Sequence, residues 1–106
     1  MSEIVLVLST VPDDVSADTI ARTLVEERLV ACANLLPPMT SIYRWKGDIE
    51  RETERQLVMK TTRARVPVLE RRLKELHPYE VPEFIVMGVD TGSPDYFAWL
   101  TAEVGD

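Results

Sequence analysis

Two short apolar runs, Ile4-Val5-Leu6-Val7-Leu8 and Phe84-Ile85-Val86-Met87-Gly88-Val89, constrain this chain more than any other feature. Runs of this length with β-branched content predict strands, and the unbroken apolarity predicts cover on both faces. Between them the spacing changes twice to that of a helix. Ala17, Ile20, Ala21 and Leu24 form one stripe, which Val25 and Leu29 widen, and Val66, Leu69, Leu73 and Leu76 form a second. Asp13 or Ser16 is placed to cap the first helix and Thr62 the second, with Pro67 tolerated in its first turn. Asp18 and Arg22 make an i,i+4 pair on the first helix. Pro78 ends the second helix, and Ser93-Pro94 starts a third, with Tyr96, Phe97, Leu100 and Val104 along one side.

The middle of the chain supplies two further strands. Residues 29–36 are apolar apart from Asn34, and Pro37-Pro38 then imposes a bulge or bend that only an edge strand tolerates. Residues 39–46 resume the strand, and Gly47-Asp48 gives turn chemistry. As a helix, residues 50–55 would stack Glu50 on Glu54 and Arg51 on Arg55. As a strand, they put Glu50, Glu52 and Glu54 on one face and Arg51, Thr53 and Arg55 on the other, running into Leu57-Val58-Met59. The reading is a long hairpin.

The order is β-α-β-β-α-β with an extra C-terminal helix, in one domain over residues 1–106. Right-handed crossovers turn that order into an α/β (α+β) ferredoxin-like fold: a four-stranded antiparallel sheet with two helices on one face. The opposite face must be wet, covered by the last helix, or packed on another copy. Tyr43 and Trp45 on the long hairpin favour self-association.

Net charge is −6, which opposes nucleic-acid binding. The one basic cluster (Arg63, Arg65, Arg71, Arg72, Lys74) is interrupted by Glu70 and Glu75 and reads as a solvated helix face. No segment has the length for a membrane helix, the start lacks a secretory pattern, and the single Cys32 fits a reducing compartment. The expectation is a cytoplasmic protein with no nucleic-acid or membrane partner.

Chemistry is sparse. Cys32 and His77 are the only cysteine and histidine, and nothing local activates Cys32, which reads as a small packed hydrophobe. Thr91-Gly92-Ser93 reads as a plain N-cap rather than an anion nest. The unusual stretch is His77-Pro78-Tyr79-Glu80-Val81-Pro82-Glu83, which holds an imidazole, a phenol and two carboxylates in a stiff loop. His77 is the candidate metal ligand, with Glu80 or Glu83 as second partner. The alternative is a structural turn in which His77 caps the helix and Tyr79 packs at an interface.

Several segments carry a family resemblance: Leu29-Val30-Ala31-Cys32-Ala33-Asn34-Leu35, Ser41-Ile42-Tyr43-Arg44-Trp45-Lys46-Gly47, Met59-Lys60-Thr61-Thr62, the residue 77–83 loop, and Asp95-Tyr96-Phe97-Ala98-Trp99-Leu100. Together they resemble the CutA family of divalent-cation tolerance proteins. The resemblance implies a ferredoxin-like homotrimer in which neighbouring hairpins continue each other's sheets. It also implies a link to tolerance of copper and other divalent cations, and no enzymatic activity. A copper site proposed in some members uses a cysteine where this chain has Ser9, and two adjacent histidines where it has Leu76 and His77. Only His77 matches, so copper binding is expected to be weak. The second reading is a regulatory or scaffolding trimer like the PII proteins, holding a small metabolite or partner protein in intersubunit clefts.

Overall fold

A computed structural model describes residues 3–105 of the chain. Its elements are β1 (Ile4–Pro12), α1 (Val15–Glu26), β2 (Cys32–Leu35), β3 (Met39–Trp45), β4 (Asp48–Thr62), α2 (Val66–Leu76), β5 (Ile85–Gly88) and α3 (Pro94–Val104), with a 3-10 turn at Arg63–Arg65 before α2. The sheet is antiparallel throughout, in the order β2-β4-β1-β5, and β3 also pairs with β4. The ferredoxin-like order stands. Its second strand is split at Pro37-Pro38 into β2 and β3, which lie end to end along β4, so the sheet has five strands rather than four.

β4 settles the ambiguous segment as strand. Met39 pairs with Glu54 and Trp45 with Asp48, in unbroken register. The connecting turn is Lys46-Gly47, one residue earlier than expected. Both residues have positive φ, 51° and 89°, the geometry that suits a two-residue hairpin to the strand twist. The hairpin gives the molecule its long axis, with extents of 44 × 25 × 24 Å.

Alternation along β1 divides the sheet into two faces. Val5, Val7, Ser9 and Val11 are buried on the helix side. There Leu57 and Met59 of β4 meet Ala17, Ile20, Ala21 and Leu24 of α1 and Leu69 and Leu73 of α2 in one core. Burying these side chains is the main stabilising term, about 1.5–3 kcal/mol for each large one. Val66 and Leu76 pack against the same core while staying partly exposed. Val25 lies outside it: α1 ends at Glu26 and leaves Val25 at the surface, while Leu29 is buried in the following loop.

The helix boundaries follow local chemistry with two corrections. The α1 cap is Asp14, not Asp13 or Ser16, and its Oδ1 accepts from the Ser16 N–H at 2.8 Å. Thr62 stands at the N-cap of the 3-10 turn, but its hydroxyl makes no capping bond and is buried without a partner among the described residues. α2 carries Pro67 in its first turn and ends at Leu76 before Pro78. Ser93 caps α3, accepting from the Tyr96 N–H at 3.3 Å. Asp18 and Arg22 pair at 3.6 Å with both ends solvated, so the pair contributes little.

The helix-free face is only partly covered. Register puts Leu6, Leu8 and Thr10 of β1 beside Lys60, Val58 and Gln56 of β4, and puts Met87 and Ile85 of β5 next to Leu6 and Leu8. α3 reaches one end of this face, where the Lys60 ammonium stands 6.0 Å over the Tyr96 ring. Leu100 and Val104 are buried there, and Arg65 holds the helix C-terminus through bonds to the Val104 carbonyl at 3.0 and 2.6 Å. Ile85 and Met87 stay about half exposed, so β1 and β5 are covered by the single chain on one face only.

Candidate functional site

The residue 77–83 loop leaves α2 and crosses to the open face, against the base of the hairpin. His77 is extended (φ −80°, ψ 135°), as the following proline requires, and its ring is 7% exposed. Its Nδ1 accepts from the Tyr79 N–H at 3.1 Å, and its Nε2 lies 2.7 Å from the Thr10 carbonyl. An acceptor at Nδ1 and a donor at Nε2 define one neutral tautomer. The ring therefore ties the loop to β1. His77 is also the C-cap of α2, as the structural reading expected, through its backbone N–H to the Leu73 carbonyl at 2.9 Å rather than through the ring.

The other polar side chains of the loop each take a different partner. The Tyr79 hydroxyl donates to Glu54 Oε2 at 2.8 Å. Glu80 pairs with Lys46 of the hairpin turn at 3.5 Å. Glu83 accepts from Gln56 Nε2 at 3.0 Å, and the same amide donates to the Ser9 carbonyl at 2.7 Å. The imidazole and phenol do meet, with ring centroids 4.6 Å apart, but neither Glu80 nor Glu83 is a polar partner of His77. Between loop and hairpin lies a cleft of about 810 Å³, lined among others by Thr10, Tyr43, Trp45, Glu54, Gln56 and Tyr79. Burial and the hydrogen bond to Glu54 hold the Tyr79 phenol well above its ordinary pKa, and burial with the charges of Glu52, Glu54 and Glu50 raises that of Tyr43.

Glu54 is the residue that sequence reasoning missed. Its spacing predicts only a place on a charged strand face, yet it is 4% exposed. The sequence holds no local mark for this, since its partner Tyr79 lies on another element. Cys32 and His77 are not brought together: the Cys32 thiol faces Asn34 Oδ1 at 3.6 Å, and His77 bonds to Thr10 and Tyr79. In the basic cluster, Arg63 pairs with Glu3, Arg72 with Glu27 and Glu75, and Lys74 with Glu70, while Arg65 binds α3.

A resident metal ion does not fit these residues within one chain. Among the described residues no three His, Cys, Asp or Glu side chains group to hold one. Both His77 nitrogens are committed, and Ser9 is fully buried on the core side with its hydroxyl unpaired among the described residues. That orphan hydroxyl has a testable cost. Ser9→Ala is expected to raise stability by about 1–2 kcal/mol in urea unfolding, because a buried donor without a partner is removed; a loss of stability would show that Ser9 has a partner in solution.

Comparison with known proteins agrees with this fold. The CutA1 divalent ion tolerance protein model matches residues 5–103. The divalent-cation tolerance protein CutA of Thermus thermophilus is 47% identical over 99% of this chain and its own full length. That of Citrobacter koseri is 44% identical, over 96% of this chain and 89% of its own. Among solved structures, CutA from Xylella fastidiosa superposes with a TM-score of 0.93 at 45% identity, covering 98% of this chain and 100% of its own. The Thermus thermophilus protein gives 0.92 at 46% identity, covering 96% and 99%. The chain is a member of the CutA1 divalent ion tolerance family.

Proposed function

We propose that this protein serves the tolerance of divalent metal ions as a non-enzymatic, cytoplasmic homotrimer. The observation that carries the reading is the family match across residues 5–103, and family tolerance is not in itself a catalytic activity. The assembly rests on the helix-free face, where partly exposed Leu6, Leu8 and Val58 join half-exposed Ile85 and Met87 in an apolar surface that α3 covers only in part. The outer edge of β3, unpaired among the described residues, supports it, since a projecting strand edge is a ready partner for another sheet.

Contact with copper or another divalent cation falls to His77 and is weak. The ring's lone pair is on Nδ1 and becomes free only when the Tyr79 N–H lets go. Native mass spectrometry tests the assembly: three copies are expected, and a single copy at micromolar concentration would remove the interface argument. Calorimetric titration with Cu²⁺ of the wild type and His77→Ala tests the metal contact, and identical curves would remove His77 as a ligand.

A further inference from the structure

The cleft between hairpin and loop has a consistent chemistry. Alternation along β3 and β4 puts Tyr43 and Trp45 on the same face as Glu54, Glu52 and Glu50, and Tyr79 closes the opposite wall. At its base Glu54 is almost fully buried, and among the described residues its one polar partner is the Tyr79 hydroxyl. No lysine or arginine pairs with it among those residues. A buried carboxylate held by a single neutral donor is short of compensation, and a cation entering beside it would supply what is missing.

The chain shows on a small scale how such a cation is received. The Lys46 ammonium lies 5.4 Å from the centroid of the Trp45 ring and 3.5 Å from Glu80, so two residues of the lining already hold an ammonium between a π face and a carboxylate. We infer that the cleft binds a small organic cation, a primary ammonium or guanidinium compound, with its charge against Glu54 and its carbon frame between Tyr43, Trp45 and Tyr79. Its volume of about 810 Å³ suits a small-molecule site. A bare metal ion fits poorly, since no three-donor group is present among the described residues and the aromatic walls favour a weakly hydrated cation. Anions are repelled by the carboxylates that line it. One chain lines the cleft, but it lies on the helix-free face and beside the β3 edge that the proposed trimer uses, so the inference requires that neighbouring copies leave it open.

The test uses the assembled protein carrying Trp99→Phe, which leaves Trp45 as the only tryptophan. Agmatine is the cationic probe, with 1-butanol as the neutral control and glutarate as the anionic one. Saturable change in Trp45 fluorescence is expected with agmatine alone, at a Kd of about 1 mM or below. Glu54→Gln keeps an acceptor for Tyr79 and should weaken agmatine at least tenfold while leaving the thermal midpoint nearly unchanged. Trp45→Leu, at the half-exposed hairpin end, should remove most of the agmatine heat in calorimetry without touching the core. No saturation by agmatine overturns the inference, including the case in which a neighbouring copy's side chain already fills the cleft. So does equal binding of either control, or unchanged affinity in Glu54→Gln.

Discussion

Leu8→Glu is expected to release the protein from its proposed trimer as a folded monomer. Leu8 lies near the middle of the helix-free face, paired with Val58 on one side and Ile85 on the other. In one chain this position is partly exposed, so a carboxylate there reaches water and the core behind it is untouched. Packed against another copy, the same carboxylate would be buried without a partner. Such burial costs several kcal/mol per site, and threefold symmetry repeats the cost in each subunit. Native mass spectrometry should then show one copy in place of three, with the far-UV circular dichroism retained. Val15→Glu is the control: at 86% exposure it should leave the copy number unchanged. A Leu8→Glu variant that stays trimeric would move the interface to another surface.

Tyr79→Phe is expected to cost about 1.5–3 kcal/mol of stability at neutral pH, the usual range for a hydrogen bond to a charged group. The hydroxyl donates at 2.8 Å to a carboxylate that water barely reaches, and phenylalanine takes away that donor while filling the same space. The pH dependence separates this from simple loss of packing. The phenol's folded pKa is raised above the ordinary 10.0, first by burial and then by Glu54. Below pH 10 the phenol is neutral in both states and the wild type keeps its full advantage. Above pH 10 the unfolded chain loses the proton first, so the folded state binds more protons and stability falls as pH rises. The gap between wild type and Tyr79→Phe should therefore narrow above pH 10 in urea unfolding series. Tyr43, whose pKa is also raised, gives both proteins a slope of its own, and its charge coupling to Tyr79 in the wild type narrows the gap in the same direction. A gap that stays constant or widens would mean that the hydroxyl's link to Glu54 is not what stabilises the fold.

Much of the architecture was legible because it is written in neighbouring residues. The Leu69 and Leu73 stripe, the Ser93 cap and the alternation of Glu50, Glu52 and Glu54 against Arg51, Thr53 and Arg55 depend only on local spacing, and the structure shows each as read. Errors of one residue, such as Asp14 for Asp13 or the turn at Lys46-Gly47, arise because adjacent positions offer nearly equal chemistry. The candidate site was harder to read. His77 was picked out by type alone, and the sequence could not show that the Thr10 carbonyl would take its Nε2. Glu54 looks like any other glutamate of an exposed ribbon until Tyr79 arrives from an element far along the chain. Contacts between distant segments follow from packing, and no local pattern announces them.

The way β4 serves three partner strands also has a consequence for the order of assembly in time. With β3 it pairs across a two-residue turn, so this ribbon can zip from Lys46-Gly47 outward in about 1–10 μs, the hairpin timescale. With β1 it must pair Pro12 to Glu54 at the near end and Ile4 to Thr62 at the far end, so even the first contact closes a loop over more than a third of the chain. The slow searches therefore belong to β1, which docks on the residue 54–62 half of β4 just beyond the zipped ribbon and receives β5 over a longer loop still.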